Sequence, residues 1–266
     1  MPGNLVAPEG AAELLAPLAG VLEQLFRVSG NVGGSIGVLT NGEQHFLGIR
    51  SRGLDTPVPP NEDTVYLISS LTKPLLGLAI AVLVDGDEYD VTFETPVQRF
   101  LPGLDGKTLL RHTSRAATIA DFLDHRSEFL RTTNLWESLG GAIPWKTIEP
   151  ILSLLRHLPL SDKFNSPSSF AFDRNYSNEA FALLTAVIEK ATDTPWGRFV
   201  ETGIHSFQAI LQHLKSKPST PQPVKIHPSQ VSSSSRTYNQ TLLGAAAGVQ
   251  STASDLIKFY QKYLEM

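Results

Sequence analysis

The chain has 266 residues, 41% of them apolar and 18% charged, with a net charge of -4 from 22 basic and 26 acidic side chains. That profile suits a globular chain of one large or two ordinary domains, and the even charge balance gives no basic surface for nucleic acid or an anionic membrane. The lack of cysteine excludes a disulfide framework, a thiol nucleophile and a cysteine metal site.

The first ten residues lack the basic region of a secretory leader, and no apolar run reaches the length of a membrane span. A soluble, cytoplasmic protein is the expectation. Residues 10–28 place Leu14, Leu15, Leu18, Leu22, Leu25 and Phe26 at helical spacing, and Ser29-Gly30 ends the run. Pro17 should kink or divide that helix. Two strand-like runs follow, 35–40 and 43–49, separated by Asn41-Gly42. This dipeptide is a strong hairpin signal, because a type I′ turn needs positive φ at both central residues. Pro57, Pro59 and Pro60 then form an extended linker.

The linker leads to Ser70-Leu71-Thr72-Lys73-Pro74 and a run, 75–84, that is almost wholly apolar. A helix apolar on every side is buried. Residues three apart share a helix face, so the Lys73 amine can reach the Ser70 hydroxyl. Serine needs an adjacent base to become a useful nucleophile, and a partly desolvated lysine can fill that role once its pKa falls. A Ser-x-x-Lys also arises by chance on the order of once in a chain this long. On the tetrad alone, Ser70 as a helix cap and Lys73 as a solvated lysine is therefore the commoner reading. Pro74 fits a first helical turn and places the helix start near Ser69 and Ser70, while disfavouring helical backbone at Lys73.

Asp85-Gly86-Asp87 closes the buried helix with a glycine stop, and 89–102 reads as a short connection. Helical segments are expected from Thr118, over 150–158, over 179–192 and from Pro195. A polar loop over 162–172 delivers the chain to Tyr176-Ser177-Asn178, the only Tyr-x-Asn in the sequence, although a tyrosine before a helix is on its own more commonly half-buried packing. Residues 215–236 hold four prolines and a serine run, a flexible or surface loop. Ser251 to Asp255 looks like a helix cap, followed by an amphipathic helix over 256–264. The seven histidines show no metal-binding spacing and read as ordinary surface or structural residues, so no metal is expected.

Taken together, these stretches resemble the serine β-lactamase-related superfamily, in its class C β-lactamase, esterase and acyltransferase branch. Residues 63–74 look like its nucleophile segment. Leu83-Val84-Asp85-Gly86, with Thr95-Pro96-Val97 and Phe100-Leu101-Pro102, looks like the segment that follows. Residues 119–127 resemble its "LL-x-H-x-S-G" stretch, 176–184 its Tyr-x-Asn helix, and 247–256 its "S-T-x-x-D-L" helix start. His125-Arg126-Ser127 and Trp136 are most similar to fungal members that act in secondary metabolism. The resemblance implies an α+β fold, a helical domain plus an antiparallel sheet. Residues 1–60 would carry a helix and the first strands, and 61–266 the mainly helical part.

The resemblance also implies an acyl-enzyme mechanism on a small-molecule ester, thioester or amide. Ser70 would be the nucleophile, and Lys73 and Tyr176 would share general base and acid work. Asn178 would orient Lys73 or bind the substrate. The Ser70 N–H would donate to the oxyanion, and no cofactor is implied. Three departures stand out. Glu128 occupies a position where glycine is expected, and as a carboxylate near a cleft it is either a base or solvated. The "PLGM"-like stretch is not visible over 203–217. No Lys-Thr-Gly or His-x-Gly occurs, and in such proteins that motif lies on a strand that would follow Met266. A C-terminally incomplete chain, its antiparallel sheet lacking the last strands, is the expectation, and a non-catalytic scaffold or binding module is the alternative to an enzyme.

Overall fold

The computed structural model describes residues 11–31, 33–50, 60–86, 88–102, 116–127, 152–153, 176–199 and 247–264. In chain order these hold α1 (Ala11–Val28), β1 (Gly33–Thr40), β2 (Glu43–Arg50), β3 (Tyr66–Leu67), α2 (Lys73–Asp85), α3 (Ile119–Leu123), α4 (Asn178–Thr192), β4 (Gln250–Ser251) and α5 (Ala253–Leu264). The chain divides into two compact units, at 66/67 and again around the last helix. Glu128, Trp136, the 162–172 and 203–217 stretches and the 215–236 loop lie outside the described residues.

The first unit is built on the expected hairpin. β1 and β2 pair antiparallel from Gly33↔Arg50 to Thr40↔Glu43. Asn41 (φ 51°) and Gly42 (φ 83°) both take the left-handed backbone that a type I′ turn requires. The period of two then sorts the side chains. Ile36, Val38, Leu47 and Ile49 gather with Leu15, Leu22 and Phe26 of α1 in one apolar cluster. On the other face, Gly37 leaves room for Ile257 of α5, where any Cβ would collide with the Ile257 side chain. Gln44 Nε2 donates to Gln261 Oε1 at 3.1 Å on the same side. The last helix, grouped by sequence with 61–266, thus packs on the hairpin. Pro17 lies inside one continuous 18-residue helix and does not divide it.

The second unit has α2 at its centre. Leu76, Ala79, Ile80 and Leu83 join Ile119 and Phe122 of α3 and the apolar face of α4 in one core. Each fully buried Leu or Ile of this kind contributes about 1.5–3 kcal/mol. α2 begins later than expected: Ser69–Thr72 form a 3-10 turn and α-helix starts at Lys73. Lys73 itself is helical (φ -60°, ψ -41°) despite the proline that follows it. Gly86 ends the helix in extended rather than left-handed backbone (φ -84°, ψ 116°), its N–H closing on the Val82 carbonyl.

Thr118 starts α3 with a reciprocal capping box. Its hydroxyl accepts from the Asp121 N–H while the Asp121 carboxylate accepts from the Thr118 N–H. The α3 end is held by the Arg126 N–H, which donates to the Asp121 carbonyl at 2.7 Å, and by an ion pair from the Arg126 guanidinium to Asp121. Between them His125 takes left-handed backbone (φ 59°). No helix among the described residues is long and apolar enough to cross a membrane.

Candidate active site

The Ser70 turn is held in place by backbone bonds from a distant segment. The Ile68 N–H donates to the Val249 carbonyl (3.0 Å), and the Val249 N–H donates to the buried Thr72 hydroxyl (3.2 Å). Ser69 adopts left-handed backbone (φ 49°), which costs a non-glycine residue roughly 1 kcal/mol and sharpens the approach to Ser70. In a 3-10 turn, residues three apart eclipse one another. Ser70 and Lys73 are therefore aligned more directly than on the α-helical turn expected from sequence. The Lys73 Nζ donates to the Ser70 Oγ at 3.4 Å. Ser70 remains exposed, while Lys73 is 7% exposed.

Tyr176 and Asn178 arrive at the start of α4. Ser177 is its cap, its Oγ accepting from the Ala180 N–H at 3.0 Å. A cap fixes the chain direction on both sides of itself, and here the flanking residues are Tyr176 and Asn178. The Tyr176 hydroxyl donates to the Ser70 Oγ at 2.6 Å. The Asn178 Oδ1 accepts from the Lys73 Nζ at 2.6 Å. All four residues singled out by sequence, Ser70, Lys73, Tyr176 and Asn178, thus meet in one hydrogen-bonded cluster within the second unit.

Lys73 sits over two aromatic faces, 4.7 Å from the Tyr176 ring centroid and 5.2 Å from that of Phe181. Burial lowers its pKa from the ordinary lysine value, against the Tyr176 hydrogen bond and the charges of Tyr176 and Glu179, which raise it. Burial outweighs them. The chemical consequence is an amine that gives up its proton more readily than a surface lysine, next to a hydroxyl that needs a base.

Three further residues shape the cluster without having been assigned a role in it. Glu179 is fully buried and its Oε2 accepts from the Ser177 hydroxyl at 2.9 Å. Its signal in the sequence was an acidic residue in the first turn of a strong helix, where the helix dipole favours it. His125, read as an ordinary histidine, lies against the Tyr176 ring (4.7 Å) and the Phe181 ring (5.0 Å), and its Nδ1 accepts from the Ser177 N–H at 3.2 Å. Phe181 carried no signal beyond its place on an apolar helix face. Among the described residues no group of three or more His, Cys, Asp or Glu could hold a metal ion.

The beta-lactamase family model matches residues 19–266. Among characterised relatives, the chain is 30% identical over 201 residues to an esterase, EstB, of Burkholderia gladioli, covering 72% of this chain and 49% of that one. It is 26% identical over 272 residues to the D-alanyl-D-alanine-carboxypeptidase/endopeptidase AmpH of Escherichia coli (strain K12), covering 98% of this chain and 64% of the relative. The chain thus spans about half to two thirds of the length of these relatives. Among solved structures, an octameric penicillin-binding protein homologue from Pyrococcus abyssi superposes with a TM-score of 0.64 at 18% identity, over 94% of this chain and 56% of that one. This likeness places the fold among β-lactamase-like α+β structures.

Proposed function

The chain belongs to the beta-lactamase family, and on that premise we propose that it is a serine hydrolase or acyltransferase forming an acyl-enzyme on Ser70. The observation that carries the reading is the Ser70 Oγ itself, which takes hydrogen bonds from both the Tyr176 hydroxyl and the Lys73 amine. The Lys73 amine, directly or through the Tyr176 oxygen, removes the Ser70 proton as Oγ bonds to the acyl carbon. The same proton returns through Tyr176 to the departing alcohol, thiol or amine. Water then cleaves the acyl-serine ester by the reverse traffic, releasing the acid, or an acceptor alcohol or amine takes the acyl group. Asn178 keeps Lys73 aimed at Ser70, and the Ser70 N–H donates to the developing oxyanion.

A small-molecule ester, thioester or amide is the proposed substrate class. The names of the relatives, an esterase and a carboxypeptidase, support ester or amide chemistry. The resemblance to fungal members favours a secondary metabolite as the acyl donor or acceptor. The test is covalent. A fluorophosphonate or a fluorescent penicillin should leave a mass adduct on Ser70 that is lost in Ser70→Ala. A folded chain that takes neither probe would favour the non-catalytic binding module.

A further inference from the structure

The residue between Tyr176 and Asn178 is pinned from three directions. The Ser177 hydroxyl donates to Glu179 Oε2 (2.9 Å) and accepts from the Ala180 N–H (3.0 Å), and the Ser177 N–H donates to His125 Nδ1 (3.2 Å). Ser177 and Glu179 are both fully buried. The His125 ring in turn backs the Tyr176 ring, and Phe181, from the next turn of α4, packs against His125 and under the Lys73 ammonium.

Ordinary helix capping explains the Ala180 bond alone. It does not require a buried carboxylate two residues on that accepts from the cap hydroxyl itself. A carboxylate that locks the cap hydroxyl in one rotamer fixes the backbone on either side of it, and both neighbours are side chains of the site. We infer that Glu179 is a positioning residue, acting through Ser177 to aim Tyr176 and Asn178 at Ser70 and Lys73.

The Glu179 charge also acts on Lys73, with a defined sign. Among the described residues, the titratable groups acting on Lys73 include Tyr176, in the segment leading into α4, and Glu179, on α4 itself, with His125 lying against the Tyr176 ring. The Glu179 carboxylate favours the ammonium form of Lys73. Removing it should let the amine become free base at lower pH. The positioning effect is separable, since Ser177 carries no charge.

The inference rests on the proposed Ser70 chemistry for its kinetic half, so the test has two readouts. The first is the Lys73 titration, followed by 13C NMR of the labelled lysine side chains in the full chain, with Lys73→Met to assign the signal. Glu179→Gln should move the Lys73 midpoint to lower pH. This readout needs no turnover, so it stands even if the chain hydrolyses nothing. The second is hydrolysis of p-nitrophenyl acetate. Ser177→Ala should lower kcat about tenfold or more with little change in KM and no shift of the pH limb, and Ser177→Thr should restore it. An unmoved Lys73 midpoint in Glu179→Gln, or equal rates in the three Ser177 forms, would overturn the inference. Absence of hydrolysis in the unaltered chain would instead count against the enzyme reading, leaving the titration to decide the role of Glu179.

Discussion

The Tyr176 hydroxyl lies 2.6 Å from the Ser70 Oγ, although 106 positions of sequence separate them. The contact is made because Ser70 stands on a turn anchored at Thr72 and Ile68, while Tyr176 is delivered by the cap of a helix that shares a core with α2. Tyr176→Phe removes that one hydroxyl and keeps the ring against His125. Acylation of Ser70 should slow about 10²–10⁴-fold, the range for losing a positioned proton-transfer group. Thermal unfolding should shift little, since the hydroxyl bond is exposed. Stopped-flow acylation and calorimetry on the same preparation check both.

Lys73→Met should separate activity from stability. A buried ammonium with a lowered pKa is held in the folded state against its preference for water. The unfolded chain therefore binds more protons than the folded one between the lowered pKa and about 10.4, and the Lys73 contribution to stability rises with pH across that window. Below it the cost is fully present. Lys73→Met should thus match or exceed the unaltered chain in Tm at pH 7 while losing at least about 10²-fold in acylation. The Tm difference should shrink as pH climbs towards 10.

Asn178→Asp puts a carboxylate where the Lys73 Nζ now donates to an amide oxygen at 2.6 Å. An adjacent negative charge favours the ammonium, so the Lys73 pKa should rise and the base-dependent limb of kcat/KM should move to higher pH by about 1–3 units. Asn178→Ala should instead lower kcat about 10–100-fold without moving the limb in that direction. A pH–rate profile of each variant reads the difference.

Thr118→Ala tests the frame that brings His125 to the cluster. It removes the hydroxyl that accepts from the Asp121 N–H and should cost about 1 kcal/mol, within the usual range for a lost cap. For a chain of this size that is a fall in Tm of roughly 2–4 °C. Urea unfolding with an unchanged m-value would attribute it to the folded state.

Local chemistry made part of this fold legible from residues alone. Asn41-Gly42 between alternating runs leaves few turns other than the one found, and the apolar run after Lys73 could only be a buried helix. The Thr118 and Ser177 caps sit where the helix patterns begin. What was not legible is set by contacts distant in sequence. Nothing near Lys73 announces that the turn before it is 3-10, because that turn is tied to Val249. Gly37 is ordinary until Ile257 is seen packed on it. The meeting of Tyr176 and Asn178 with Ser70 and Lys73 came from family resemblance, since spacing along a chain cannot bring two helix starts together. Glu179 escaped notice because an acidic residue in a first helical turn is commonplace, and only its burial sets it apart.

The central claim is that the Ser70 oxygen is made nucleophilic by the groups around it. Intact-mass and peptide mass spectrometry after treatment with a fluorophosphonate test it most directly, across Ser70→Ala, Lys73→Met, Tyr176→Phe and the unaltered chain. The expected result is a single adduct on Ser70 in the unaltered chain, none in Ser70→Ala, and labelling slowed at least about 10²-fold in the other two. Equal labelling of the unaltered, Lys73→Met and Tyr176→Phe chains, or no adduct at all on a folded chain, would contradict it.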